Sequence, residues 1–146
     1  MLLTSFVCKF STSVIPVFSQ IQLKLIKQSL PHVHKYGWSD NAIHAACAEL
    51  ELSPAAHRII KPYDMISYCM NNWNQQALRK MDDYNFENRT KIRDKVWYAI
   101  KERLTLELEY IDTWNQAMAI GAHPSNISQT SIFHHRYRGS AVGIQR

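Results

Sequence analysis

Apolar residues along this chain recur at intervals of three and four and seldom alternate, so the pattern predicts helices throughout. Leu23, Ile26, Leu30 and Val33 mark a first helix from Ile21. It is expected to bend or end near Leu30, because Pro31 disfavours helical geometry at the residue before it. The stretch Tyr36 to Ile60, YGWSDNAIHAACAELELSPAAHRII, is where spacing, capping residues and a short turn agree. Ser39 is expected to cap a helix whose first turn holds Asp40, and Ile43, Ala46, Cys47 and Leu50 share one face. Trp38, just before the cap, is placed to pack on that helix as a hydrophobic staple. Ser53 and Pro54 then open a second short helix carrying Ala55, Ala56, Ile59 and Ile60. Helix, turn and helix match the helix-turn-helix pattern, and an ordinary helical corner in an all-α core has the same spacing.

Lys61 and Pro62 start a further helix in which Ile66, Cys69, Met70, Trp73 and Ala77 line one face, running to about Met81. Asp82 to Asn88 reads as a polar connection. The longest pattern follows: Ile92, Val96, Ile100, Leu104, Leu108 and Ile111 step by four and finally by three, with Trp97, Trp114 and Met118 broadening the stripe. One long helix or two abutting ones would satisfy it, and its apolar side is expected to be buried. Gly121 and Pro124 end the helical region.

Length and composition sharpen this picture only in places. The 146 residues suit one domain with a real core. A net charge of +5 invites a nucleic-acid reading, but residues 1–39 and 132–146 contain no acid, while residues 40–131 carry ten Lys or Arg against twelve Asp or Glu. The basic excess therefore belongs to the two ends. Cys8, Cys47 and Cys69 form neither a disulfide framework nor a CxxC motif, which suits a reducing compartment. No apolar run approaches the roughly 18 residues of a membrane span.

Residues 1–20, MLLTSFVCKFSTSVIPVFSQ, are acid-free and rich in Ser and Thr, the composition of a mitochondrial transit peptide, although arginine is lacking. A secretory signal is the rival. It would need a charged region ahead of the apolar residues, and Thr4, Ser5 and Lys9 interrupt the apolar stretch. Residues 21–128 are expected to form the helical domain and 129–146 a disordered tail.

The order of features, LPHVHKYGWS, then an alanine-rich helix, then LELSPAAHRII, PYDMISYCMNNWNQQALRKM and KERLTLELEYIDTWNQAMAI, resembles mitochondrial ubiquinone-biosynthesis accessory proteins of the Coq-nine family. The resemblance covers about Gln22 to Ser128 and is strongest where Glu102, Arg103, Leu104, Tyr110, Ile111, Trp114 and Ala117 stand at the family's spacing. It implies an all-α, TetR-like bundle that lacks the family's later helices, the chain being truncated after Ser128. It also implies a non-enzymatic, lipid-binding helper on the matrix side of the mitochondrial inner membrane, peripheral to it and homodimeric in the family. Such a helper would present isoprenoid quinone precursors to the pathway's di-iron hydroxylase, or hold phospholipid, without a cofactor.

Under that reading Ile66, Met70, Trp73, Trp97, Ile100, Leu104, Trp114 and Met118 are candidates to line an apolar site for an isoprenoid tail, since such sites are mostly aromatic and aliphatic. Plain core packing would use the same residues. The alternative is a helix-turn-helix DNA-binding regulator, and a ligand-free helical interaction module is a third reading. Against DNA, the recognition positions are Ser53, Pro54, Ala55 and Ala56, and only His57, Arg58 and Lys61 could reach phosphates. His32 with His34, and His134 with His135, lack the third and fourth ligands a zinc site needs. No nucleophile motif, phosphate loop or distinct carboxylate pair points to catalysis, and Asp82 with Asp83 reads as a solvated turn.

Overall fold

The computed structural model describes residues 18–84 and 91–126. The expected leader up to residue 17 and the tail over 129–146 lie outside the described residues. Among the described residues five α-helices follow in order: α1 (Gln20–Tyr36), α2 (Asp40–Glu49), α3 (Pro62–Asp83), α4 (Ile92–Glu107) and α5 (Ile111–Gly121). Short 3-10 segments at Pro54–Ile59 and Leu108–Tyr110 join α2 to α3 and α4 to α5. No strand occurs among the described residues, so the class is all-α, as the periodicity predicts.

Ser19 opens α1 with a capping box. Its hydroxyl accepts the Gln22 N–H at 3.4 Å, and Gln22 Oε1 accepts the Ser19 N–H at 2.8 Å. Phe18, just outside, packs against the core. Of the bend or end expected near Leu30, the end does not occur: α1 runs through Pro31 to Tyr36. Proline removes one backbone donor, but Leu25, Ile26, Ser29 and Val33 stay buried on one side, and that burial holds the helix together. The buried Ser29 hydroxyl donates to the Leu25 carbonyl at 2.8 Å, so no polar atom is stranded there.

Gly37 ends α1, its N–H donating to the Val33 carbonyl at 2.8 Å. Ser39 occupies the N-cap of α2 as predicted, but its hydroxyl donates back to the Tyr36 carbonyl at 2.8 Å and makes no capping bond forward. Ala42, Ile43, Ala46 and Cys47 form the buried face of α2 against α1. The turn after α2 places Glu51 at φ 53° and brings the Leu52 N–H to the Cys47 carbonyl at 2.9 Å. Ser53 Oγ then accepts the Ala55 N–H at 3.4 Å, opening the Pro54 segment where the sequence places a second short helix. That segment is a single 3-10 stretch. Ile60 is buried at its end while Ile59 is exposed, because consecutive side chains there cannot share one side.

In α3, Ile66, Cys69, Trp73 and Ala77 are buried with Tyr63 and Met65, and Met70 is half-buried beside them. The Lys61 N–H donates to Asp64 Oδ2 at 2.8 Å at the start of this helix. Two abutting helices, α4 and α5, account for the long final pattern, but the expectation that its apolar stripe is buried is wrong. No residue of α4 is buried. Ile92 is 80% exposed, Trp97 66% and Leu104 54%, and Val96, Ile100, Leu108 and Ile111 are exposed as well. A step of four residues on a helix of 3.6 per turn advances about 40° each time, so the row winds around α4 and cannot face one flat neighbour throughout. What α4 turns toward α3 is a mixed face: Lys80 Nζ meets Glu102 Oε2 at 2.7 Å, and Arg103 Nε donates to Asn74 Oδ1 at 2.7 Å.

Candidate functional site

Where α3 and α5 meet the corner between α1 and α2, four aromatic rings converge. Trp73 of α3 lies 5.2 Å from Trp114 of α5 and 5.9 Å from Tyr110, centroid to centroid. Trp38, from the corner, packs edge-on against Trp114 at 5.9 Å and tilted against Tyr110 at 5.5 Å. These are the offset and T-shaped arrangements that ring quadrupoles favour. Sequence spacing makes the cluster possible: Tyr110, Trp114 and Ala117 stand at i, i+4 and i+7, which turns all three inward from the start of α5. The indole N–H of Trp38 donates to Thr113 Oγ1 at 3.2 Å, so the buried ring keeps its one polar atom paired.

Charge borders this cluster on one side. The Arg103 guanidinium lies 5.1 Å from the Trp73 ring centroid, and Nη1 sits 2.7 Å from Glu107 Oε1 as an ion pair outside hydrogen-bond geometry. Burial raises the Cys69 thiol to about 12, with the Glu109 charge adding to the effect, so the group is a neutral packing residue. Burial pushes the Tyr110 phenol upward first, and Glu109 pushes it further. Neither group is an activated nucleophile or acid.

The eight candidate lipid-contact residues separate into two sets. Ile66 and Trp73 are buried, and Met70 and Trp114 are half-buried against them, so this set belongs to the packed core. Trp97, Ile100, Leu104 and Met118 are exposed, on the outer side of α4 and α5. The structure therefore does not bring the eight together around one enclosed cavity. What it presents is an apolar ridge along α4 and α5, backed by an aromatic core. An open groove nearby is lined by Lys80, Asp83, Tyr84, Tyr98 and Glu102, and contains none of the eight.

Residue spacing gave no sign of Gln116, whose side chain fixes α5 to the corner. Its Oε1 atom accepts the Trp38 backbone N–H, a contact that spans 78 positions and leaves no local signature. Arg103 appeared among the residues shared with the accessory family, but its place between Trp73, Asn74 and Glu107 requires knowing how α3 and α4 pair.

The helix-turn-helix corner is present, with a six-residue 3-10 segment at its second position. His57 there lies 4.1 Å ring to ring from His44, and His57 Nδ1 is 2.7 Å from the Pro54 carbonyl. Among the described residues, no group of three or more His, Cys, Asp or Glu side chains is placed to hold a metal ion. No helix among them is long and apolar enough to cross a membrane. His134 and His135 lie outside the described residues.

An all-α bundle with an N-terminal helix-turn-helix corner and an aromatic seam behind it is consistent with the TetR-like class. No family model matches the chain. It is 28% identical over 120 residues to the probable ubiquinone biosynthesis protein coq9, mitochondrial, of Dictyostelium discoideum, a match covering 77% of this chain and 39% of that protein. It is 23% identical over 111 residues to the ubiquinone biosynthesis protein COQ9, mitochondrial, of Drosophila melanogaster, covering 73% of this chain and 34% of that protein. The chain is thus similar over about three quarters of its length to two mitochondrial proteins named for ubiquinone biosynthesis. The chain spans little more than a third of the length of these curated relatives.

Proposed function

We propose that the chain serves ubiquinone biosynthesis in the mitochondrion as a non-catalytic, lipid-binding accessory protein. The relatives named for that pathway, both mitochondrial, support the setting. The observation that carries the binding role is the exposed ridge. Ile92, Val96, Trp97, Ile100 and Leu104 of α4, Leu108 of the following 3-10 segment and Met118 of α5 are all exposed, and large exposed apolar patches mark surfaces that receive lipid or protein. An isoprenoid tail needs only such a flexible, aromatic and aliphatic surface, with no ion pair to satisfy along its length. Placement on the matrix face of the inner membrane, and delivery of quinone precursors to the di-iron hydroxylase, complete the reading.

The test is mass spectrometry of lipids extracted from the purified chain beside Leu104→Glu, with circular dichroism confirming that both are folded. Retention of isoprenoid quinone precursors or phospholipid by the wild type, and its loss in the variant, is the expected outcome. Equal lipid in both, or none in either, would reject the ridge as the binding surface.

A further inference from the structure

His44 of α2 and His57 of the 3-10 segment Pro54–Ile59 come from the two arms of the helix-turn-helix corner, and their rings meet at 35° between planes. His57 Nδ1 lies 2.7 Å from the Pro54 carbonyl oxygen. A carbonyl only accepts, so Nδ1 carries the proton there and the neutral ring keeps its lone pair on Nε2. Metal-ligating histidines are oriented in this way, one ring nitrogen donating to a backbone carbonyl and the other left for the ion. His44 is exposed and makes no hydrogen bond or ion pair among the described residues, so its ring can turn at the cost of the stack alone. The histidines of α1 are engaged differently. His32 Nε2 lies 3.1 Å from Glu49 Oε2, and the His34 ring stacks on Tyr110 at 5.0 Å.

From this juxtaposition we propose that His44 and His57 chelate one divalent transition-metal ion of the imidazole-seeking kind, copper(II) or nickel(II), and so clip α2 to the segment that follows it. Two nitrogen ligands fall short of a zinc site, which takes three or four protein ligands, and suffice for a tetragonal ion whose other positions hold water. The clip falls on a weakly braced part of the fold. No residue of Pro54–Ile59 is buried, and the Gln22 side chain that reaches the Ile59 carbonyl at 3.1 Å does so at the surface. An ion that binds only the closed corner stabilises it by mass action. The inference is independent of the lipid-binding reading, because it requires only the two histidines and the backbone that orients one of them.

Calorimetric titration of the full 146-residue chain with copper(II) and, separately, nickel(II) tests it. A Cys8→Ser, His134→Ala, His135→Ala background removes a thiol and two imidazoles as competing ligands. One equivalent of metal is expected to bind, and the midpoint of thermal unfolding is expected to rise at saturation. The electron paramagnetic resonance spectrum of the copper(II) complex should show two imidazole nitrogens. His44→Ala and His57→Ala should each weaken binding by roughly a hundredfold, because the second ligation is then lost as an intramolecular step. Neither side chain belongs to the buried core, so far-ultraviolet circular dichroism should be unchanged. His34→Ala, on α1, should leave the affinity as it was. No binding, an affinity indifferent to His44→Ala or to His57→Ala, or a complex with only one imidazole nitrogen would each overturn the proposal.

Discussion

The Gln116 side chain accepts a hydrogen bond from the backbone N–H of Trp38 at 2.9 Å, joining α5 to the corner between α1 and α2. That contact explains the YGW sequence. Gly37 sits at φ 66° and ψ −171°, a region essentially confined to glycine, and a Cβ there would lie 2.4 Å from Gln116 Oε1. The tight corner and the docked helix therefore require the same missing side chain.

Gly37→Ala should accordingly destabilise the chain by about 1–3 kcal/mol from backbone strain, with the contact against Gln116 adding to it. Urea unfolding measures this. Gly37→Ala combined with Gln116→Ala should not recover wild-type stability, because the double variant relieves the contact but not the strain. Full recovery would show that the backbone at Gly37 is unstrained.

Tryptophan positions should divide sharply. Trp38→Ala and Trp73→Ala remove rings that are almost fully buried and should each cost about 3–5 kcal/mol. Trp97→Ala and Leu104→Ala, which the sequence pattern places on a buried stripe, remove exposed side chains and should change stability by no more than about 0.5 kcal/mol. Denaturant midpoints of the four variants check the division, and a large loss for Leu104→Ala would place α4 on the wrong face.

Cys69 should resist a thiol reagent at neutral pH in the folded chain and react once it unfolds, as should the buried Cys47, whose thiol burial also raises. A Cys8→Ser variant isolates the two. The raised Cys69 value fixes a sign as well. The unfolded thiol begins to lose its proton near 9.0 while the folded one holds it to about 12, so this contribution is intact below 9 and is lost as pH climbs through that interval. Stability that rises across the same interval would contradict the burial of Cys69.

Local chemistry made much of the fold legible. The Ser53 and Pro54 start and the inward faces of α2 and α3 each follow from residues within one or two turns, whereas the capping box at Ser19 fell inside the stretch read as a leader. The long stripe misled because periodicity reports that a helix has an apolar row, not which neighbour covers it. On α4 the side chains that meet α3 are Glu102 and Arg103, which look like surface charge until Lys80, Asn74 and Glu107 are known to stand beside them. Trp73 and Trp114 were legible as apolar positions on their helices, whereas their pairing, and the separation of Ile66, Met70, Trp73 and Trp114 from Trp97, Ile100, Leu104 and Met118, depend on how one helix packs against another.

The most direct measurement is oxidative footprinting of the delipidated chain at high dilution, with and without phospholipid vesicles containing an isoprenoid quinone precursor. Trp97 and Met118 should label readily without lipid and become protected with it, while Trp38 and Trp73 stay protected throughout. Trp97 labelling as slowly as Trp38 in the lipid-free chain, or unchanged labelling after lipid is added, would contradict an exposed ridge that receives lipid.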